Sequence, residues 1–199
     1  MAPTAFYTFD PLSGVDVREA MSAIISNEVS ARAEAISKLG PIADQRIKLH
    51  EDALASDPAT LLFVLIIDQD ENGAARPALE KNLGRDRLGR IPYGDGDPIR
   101  YLVENIVDND GSRLQELLTF LRSGLSETAC SEGPGGLELR GWLDHEDISK
   151  LISILRAKSW NVLSNEPIDG GVGDVCRHLI AHLKAAHRRH CGILMRAHT

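Results

Sequence analysis

The sequence predicts an α+β fold in which a helix-rich N-terminal part packs on a small, mainly antiparallel sheet. The C-terminal third supports this best, because it reads as strand, helix, helix and strand over Gly136–Leu143, Asp144–Lys158, Asp174–His190 and Gly192–His198. The earlier residues show mainly the apolar spacing of amphipathic helices. A content of 43% hydrophobic and 26% charged residues is typical of a folded globular chain.

The N-terminal segment is predicted to form a strand and then a helix. Thr4–Phe9 alternates between apolar and polar residues, which indicates a short strand, and Asp10–Gly14 has the composition of a turn. Asp16 precedes Glu19 by three residues, which is the spacing of a capping box. We therefore expect a helix from about Val17.

This helix is predicted to bend near Ser26-Asn27 and to continue over Ala31–Leu39, where Gly40-Pro41 ends it, and a further amphipathic helix is predicted over Ile42–Ala55. The apolar run Leu61–Ile67 is compatible with two structures. Its β-branched residues favour a buried strand, whereas Pro58 at a first-turn position favours a helix. Of the two we expect the helix.

The middle of the chain is predicted to contain a long loop and two more helices. Asp68–Asp97 is polar and rich in glycine. Asp97 followed by Pro98 indicates an N-cap and the first residue of a helix that is expected to include Ile106, and Ser112 is expected to cap the next helix. Cys130–Gly136 contains Gly-Pro-Gly-Gly and is predicted to be a flexible connector within a single domain of residues 1–199.

Composition argues against several classes of function. The net charge of −7 and the pI near 5.5 disfavour a nucleic-acid-binding protein. They suit either a soluble protein that stays off membranes or one whose partner is basic. Three cysteines are too few and too scattered for a disulfide framework. The N-terminus lacks the basic and apolar regions of a signal peptide, and the longest apolar run, Leu61–Ile67, is too short to cross a membrane. A cytoplasmic location is expected.

The C-terminal order of elements resembles the YfbM-like group of small uncharacterised bacterial proteins. The matching positions are Leu143, Glu146, Ile148, Leu151, Leu155, Leu179, Leu183, Ala186, Gly192, Ile193 and Leu194. Tyr7–Asp10 with Val17–Ala20, and Tyr93 with Tyr101-Leu102, are similar to the start and middle of such proteins. The resemblance implies a fold and no catalytic residues. Small proteins of this kind also occur as immunity proteins beside toxins, which implies a possible toxin partner.

One helical row contains residues that could bind a metal. Asp174, His178 and His182 recur every four residues, so two imidazoles and a carboxylate could share a helix face and chelate a divalent ion. No Glu follows the first His as a zincin base would. A solvated polar face is the preferred interpretation, and no cofactor is expected.

Two other patterns imitate reactive or metal-binding sites. Asp68-x-Asp70-x-Asn72-Gly73 resembles the start of a calcium-binding loop, but Leu79 occupies the position of the bidentate Glu. His187, His190 and Cys191 could supply a base and a nucleophile, although cationic residues in a last helical turn have a structural explanation.

Trp142 and three arginines are the candidates for contact with a partner. Strand alternation places Trp142 opposite the leucines of its own strand, so it either packs under a helix or lies on a binding surface. Arg85, Arg87 and Arg90 could clamp carboxylate or phosphate groups.

Three functional hypotheses follow. The first is a non-catalytic cytoplasmic binding protein, of the immunity type, that neutralises a toxin partner. The second is a small metal-dependent enzyme that uses the Asp174, His178 and His182 row. The third is a homodimer assembled through an exposed strand edge or through Trp142.

Overall fold

The computed structural model describes residues 6–76, 91–109, 111 and 113–198. Within these residues the chain forms eight α-helices and two antiparallel sheets, which confirms the α+β class. The strands are β1 (Phe6–Pro11), β2 (Ile106–Asp108), β3 (Glu132–Gly133), β4 (Leu137–Leu143), β5 (Trp160–Val162) and β6 (Ile193–His198). The helices are α1 (Val17–Ile25), α2 (Val29–Ser37), α3 (Pro41–Leu49), α4 (Pro58–Ile66), α5 (Pro98–Asn105), α6 (Leu114–Ser123), α7 (His145–Ala157) and α8 (Gly171–Arg188).

The C-terminal strand lies inside the larger sheet, whose order is β1-β6-β4-β3. Met195 of β6 pairs with Phe9 of β1 on one side and with Gly141 of β4 on the other. The predicted sheet of N-terminal, middle and C-terminal strands is therefore confirmed. β2 and β5 form a separate two-stranded sheet, which we call the ribbon.

Helices cover both faces of the larger sheet. Because side chains alternate along a strand, Ile193 and Met195 join a core built with α5 to α8, whereas Leu194 joins a core built with α1 to α4. All three side chains are almost fully buried. The predicted packing of the N-terminal helices on a small sheet is correct, and the later helices cover its other face.

Local capping explains where the predicted helices begin. Asp16 accepts a hydrogen bond from the Glu19 N–H at 2.8 Å, and Asp144 accepts one from the Asp147 N–H at 2.8 Å. Such caps satisfy N–H groups that have no partner within the helix. Residues 61–66 lie in α4, whose first residue is Pro58, so the helical interpretation of the apolar run is confirmed.

Several predicted boundaries are wrong. Asp10 and Pro11 continue β1 instead of starting a turn, because Arg196 binds Asp10 and the Asp68 N–H binds the Pro11 carbonyl. Ile106 leaves the preceding helix and starts β2.

Two segments near the middle also differ from the prediction. α6 has Arg113 at its N-cap position, and the predicted cap Ser112 lies outside the described residues. The predicted connector Cys130–Gly136 contains β3 and one turn of 3₁₀ helix, Pro134–Gly136, and β3 pairs with β4 as a short hairpin.

A β-bulge reverses the predicted orientation of Trp142. The register between β4 and β6 shifts between Leu139 and Gly141, which moves the later residues of β4 to the opposite face. Trp142 consequently lies in the same core as Leu137 and Leu139, whereas Leu143 joins the other core. A prediction that assumes strict alternation of side chains along β4 does not account for the extra residue of a bulge.

Candidate functional site

The predicted metal row is divided between two environments. Asp174 and His178 are exposed, and Asp174 forms an ion pair with Arg177 at 3.0 Å. His182 is 3% exposed, and its ring lies 5.2 Å from that of Phe9. At 3.6 residues per turn, each four-residue step rotates by about 40°, so eight residues carry the side chain into the apolar stripe. The three side chains do not share one surface.

In the loop that resembles the start of a calcium-binding site, the Asp70 carboxylate stabilises a turn. Asp70 accepts hydrogen bonds from the N–H groups of Asn72 and Ala74 at 2.9 and 3.0 Å. These bonds are those of an Asx turn, which explains the sequence pattern without an ion. Over the described part of the chain, no group of three His, Cys, Asp or Glu side chains could hold a metal ion. The predicted ligand position at Leu79 falls outside that part.

Of the residues predicted to contact a partner, Trp142 is described by the structure and the three arginines are not. Trp142 is only 8% exposed, and its ring packs edge-on against Phe120 at 4.6 Å. The indole ring therefore contributes to a core. Arg85, Arg87 and Arg90 lie outside the described residues.

Cys191 is positioned by the backbone rather than by a catalytic base. Its thiol donates to the Ala186 carbonyl oxygen at 3.5 Å, and burial raises its pKa. A raised pKa lowers the thiolate fraction, and the thiolate is the nucleophilic form. This geometry does not activate the thiol.

The residues around the start of α5 form a cleft that the sequence did not reveal. Its volume is about 240 Å³, and its walls are Tyr93, Gly94, Asp95, Asp97, Arg100, Tyr101 and Glu104. The Tyr93 and Tyr101 rings meet edge to face at 5.6 Å. Tyr101 is buried, whereas Tyr93 is 43% exposed. The cleft thus presents one aromatic ring and the carboxylates of Asp95 and Glu104 to solvent.

The charged side chains of this cleft hold one another in place. Arg100 contacts Asp95 at 3.0 Å and Glu104 at 2.6 Å, while Asp97 binds Arg122 at 2.9 Å. Burial alone would raise the pKa of Asp95, but hydrogen bonds from the Asp97 N–H and from Arg100 hold this pKa below its usual value. Asp95 therefore remains a carboxylate at neutral pH and acts as an acceptor.

Tyr101 connects the cleft to the loop before α8. Its hydroxyl lies 3.1 Å from Glu166 and accepts a hydrogen bond from the Ile168 N–H at 3.2 Å. Glu166 also accepts from the Val172 N–H in the first turn of α8. Burial raises the pKa of Tyr101. This network orients the loop rather than a reacting group.

The ribbon adjoins the C-terminal end of α5 and exposes apolar side chains. The Leu163 N–H donates to the Asn105 carbonyl at 2.9 Å, which ties the end of β5 to α5. Val107 is 43%, Val162 42% and Leu163 36% exposed. We define the α5–ribbon surface as the exposed side chains Tyr93, Asp95, Arg100, Glu104, Val107 and Leu163. Val162 is paired with Ile106, so it lies on the opposite face of the ribbon from Val107 and is not part of this surface.

A second group of exposed apolar residues lies on α1, α2 and α3. It consists of Ile25, Val29, Ile42 and Leu49, whose side chains are between 42% and 51% exposed. We call this group the α1–α3 surface. The nearby charges are mixed, because Lys38 pairs with Glu34 and Lys48 with Asp44. This surface offers no excess of one sign.

No protein family, no curated protein and no solved structure matches this chain. The resemblance to the YfbM-like group therefore stays a prediction. Among the described helices, none combines the length and the apolarity that a membrane span requires.

Proposed function

We propose that the protein is a non-catalytic binding protein of the immunity type, which neutralises a basic toxin partner through the α5–ribbon surface. The observation that carries this proposal is that exposed Val107 and Leu163 adjoin the C-terminal end of α5, the helix that also carries a charged cleft with the carboxylates of Asp95 and Glu104. Protein interfaces commonly combine an apolar centre with a polar rim.

The charge of this surface suits a basic partner. Its defining residues include two carboxylates, Asp95 and Glu104, and one cation, Arg100, and the whole chain carries a net charge of −7. An acidic field accelerates encounter with a basic protein and disfavours acidic competitors. The α1–α3 surface is comparably apolar but has balanced charges, so it fits such a partner less well.

The test begins with the product of the reading frame adjacent to this gene. Expressed alone, that product is expected to arrest growth, and co-expression of the present protein should restore growth. Light scattering of the purified mixture should give a stoichiometric complex. A harmless neighbouring product that forms no complex would contradict the proposed function.

Matched variants locate the binding surface. Val107→Lys and Glu104→Lys should each weaken the complex at least about tenfold, which corresponds to about 1.4 kcal/mol. Val29→Lys places the same charge at an exposed valine of the other surface and should leave affinity unchanged. If Val29→Lys disrupts the complex and Val107→Lys does not, the assignment of the surface is wrong.

A homodimer is the second candidate, and the ribbon favours it. β2 and β5 pair only with each other in the described residues, so each leaves an edge available for a strand of a second copy. Light scattering of the purified protein at the monomer mass would dispose of this alternative.

A further inference from the structure

The cleft beside α5 has room for one side chain rather than for a substrate or cofactor. Its volume of about 240 Å³ falls below the roughly 300–1,000 Å³ of pockets that enclose a drug-sized ligand. The cleft also contributes Tyr93, Asp95, Arg100 and Glu104 to the α5–ribbon surface. A side chain that protrudes from a bound partner would therefore meet this cleft.

The walls of the cleft favour a cationic occupant. Asp95, Asp97 and Glu104 contribute three carboxylates, and Arg100 contributes one guanidinium group. Arg122, which is not part of the walls, neutralises Asp97 at 2.9 Å. Among the described residues, one negative charge of the cleft is thus left uncompensated. One additional cation would balance it, whereas an acidic side chain would be repelled.

Glu104 has an oxygen available to such an occupant. Its Oε1 accepts a hydrogen bond from Arg100 Nε at 2.6 Å, whereas no described residue donates to its Oε2. The side chain of Glu104 is 42% exposed. A carboxylate can accept donors on both oxygens, so the ion pair with Arg100 holds the group in place while Oε2 can receive a second donor.

Tyr93 adds an aromatic wall to this acceptor. Its ring is held by the edge-to-face contact with buried Tyr101 and remains 43% exposed. A guanidinium group stacks on aromatic rings and forms forked hydrogen bonds with carboxylates, whereas an ammonium group is a point charge without that planar shape. An aromatic ring and a carboxylate in one narrow cleft therefore favour arginine over lysine.

We propose that the cleft receives one arginine side chain of the basic partner, whose guanidinium group lies against Tyr93 and donates to Glu104 Oε2. Arg100 repels this group, but its contacts with Asp95 at 3.0 Å and with Glu104 at 2.6 Å offset that repulsion. The identity of the occupant rests on the proposed function. The preference of the cleft for a guanidinium group is measurable on the protein alone.

Titration of the 15N-labelled full chain with N-acetyl-arginine amide, followed by NMR, tests this preference. The amides of Tyr93, Gly94 and Asp95 should shift saturably. The expected Kd is on the order of 10 mM, because an exposed ion pair and an exposed cation–π contact are each weak. N-acetyl-citrulline amide, which has a similar shape and no charge, should cause no saturable shift. N-acetyl-lysine amide should bind at least about twofold more weakly.

Matched variants assign the binding to the cleft. Glu104→Gln and Tyr93→Leu should each weaken binding of N-acetyl-arginine amide at least about threefold, and unchanged amide shifts elsewhere verify that both variants are folded. Glu34→Gln is the control, because Glu34 is also an exposed glutamate paired with a cation four residues away. This variant should bind like the unmodified protein.

The complex with the product of the adjacent reading frame separates this proposal from the proposed function. Tyr93→Leu should weaken that complex at least about fivefold, because a cation–π contact strengthens when it is desolvated, and Glu34→Gln should leave it unchanged. A complex that Tyr93→Leu does not weaken would overturn the arginine assignment while the proposed function stands. Saturable binding of N-acetyl-arginine amide without any complex would refute the proposed function and leave the preference of the cleft intact. Equal shifts with the arginine amide and with either the citrulline or the lysine amide would overturn that preference.

Discussion

Gly141 allows α6 to approach β4 so closely that any side chain should disrupt the packing. A Cβ placed on Gly141 would lie 2.0 Å from the Phe120 carbonyl oxygen and 2.6 Å from that of Leu121. Real Cβ contacts are essentially never shorter than 3.0 Å, so the backbone of α6 would have to retreat by about 1 Å. The obstacle is backbone, which cannot rotate away as a side chain would.

We therefore expect Gly141→Ala to lower the free energy of unfolding by about 3 kcal/mol, the upper part of the range for overpacked cores. For a chain of 199 residues this corresponds to a decrease in Tm of roughly 6–12 °C. Urea titration followed by circular dichroism, together with calorimetry, would measure both quantities.

Gly173→Ala is the matched control. Gly173 is exposed in α8, and a Cβ there would meet no atom within 4 Å. Alanine has the higher helix propensity, so this substitution should stabilise the protein by about 0.5–1 kcal/mol. If Gly141→Ala costs less than about 1 kcal/mol, or if both substitutions shift stability in the same direction, the steric argument is refuted.

Three further predictions concern capping, the Tyr101 network and the thiols. Asp16→Ala removes the acceptor for the Glu19 N–H and should cost about 1 kcal/mol in urea titration, while Asp16→Asn retains most of the stability. Tyr101→Phe leaves the Ile168 N–H and Glu166 without the hydroxyl and should cost about 1–3 kcal/mol, with a smaller effect contradicting a structural role. Burial raises the pKa of Cys130 to about 11 and that of Cys176 to about 12. At pH 8 fewer than about 1 in 500 of these thiols is ionised, so mass spectrometry should find both unalkylated by iodoacetamide in the native protein and modified in denaturant.

Patterns that depend on neighbouring residues were predicted well. Asp16 and Asp144 cap helices because a short acceptor reaches N–H groups three residues ahead, and sequence spacing contains that information. The alternation of β4 was predicted only as far as Leu139. Beyond it the bulge places Trp142 in the same core as Leu137 and Leu139, next to the close contact of α6 with β4 at Gly141. That contact is tertiary, so no local pattern could reveal it.

The candidate sites could be predicted less well, because their residues come together only in the folded chain. Asp97 meets Arg122 across 25 positions, and Tyr101 meets Glu166 across 65. The Asp174 row, by contrast, was conspicuous in the sequence, but helix geometry separates it in space. Recurrence every four residues identifies a helix face only over short distances, since about 40° of rotation accumulates at each step.

The proposed binding surface lies in the layer formed by α5 to α8, and its position has a physical basis. Residues of α1 to α4 complete one core with Leu194, and their surface charges are paired locally within α2 and α3. The other layer must accommodate the ribbon between α5 and the loop before α8, which leaves Val107 and Leu163 in solvent. Val107 and Leu163 adjoin α5, beside which two carboxylates flank one arginine, whereas the exposed apolar residues of α1 to α3 lie among charges that are paired one to one. This difference in charge is the reason for assigning binding to the layer of α5 to α8.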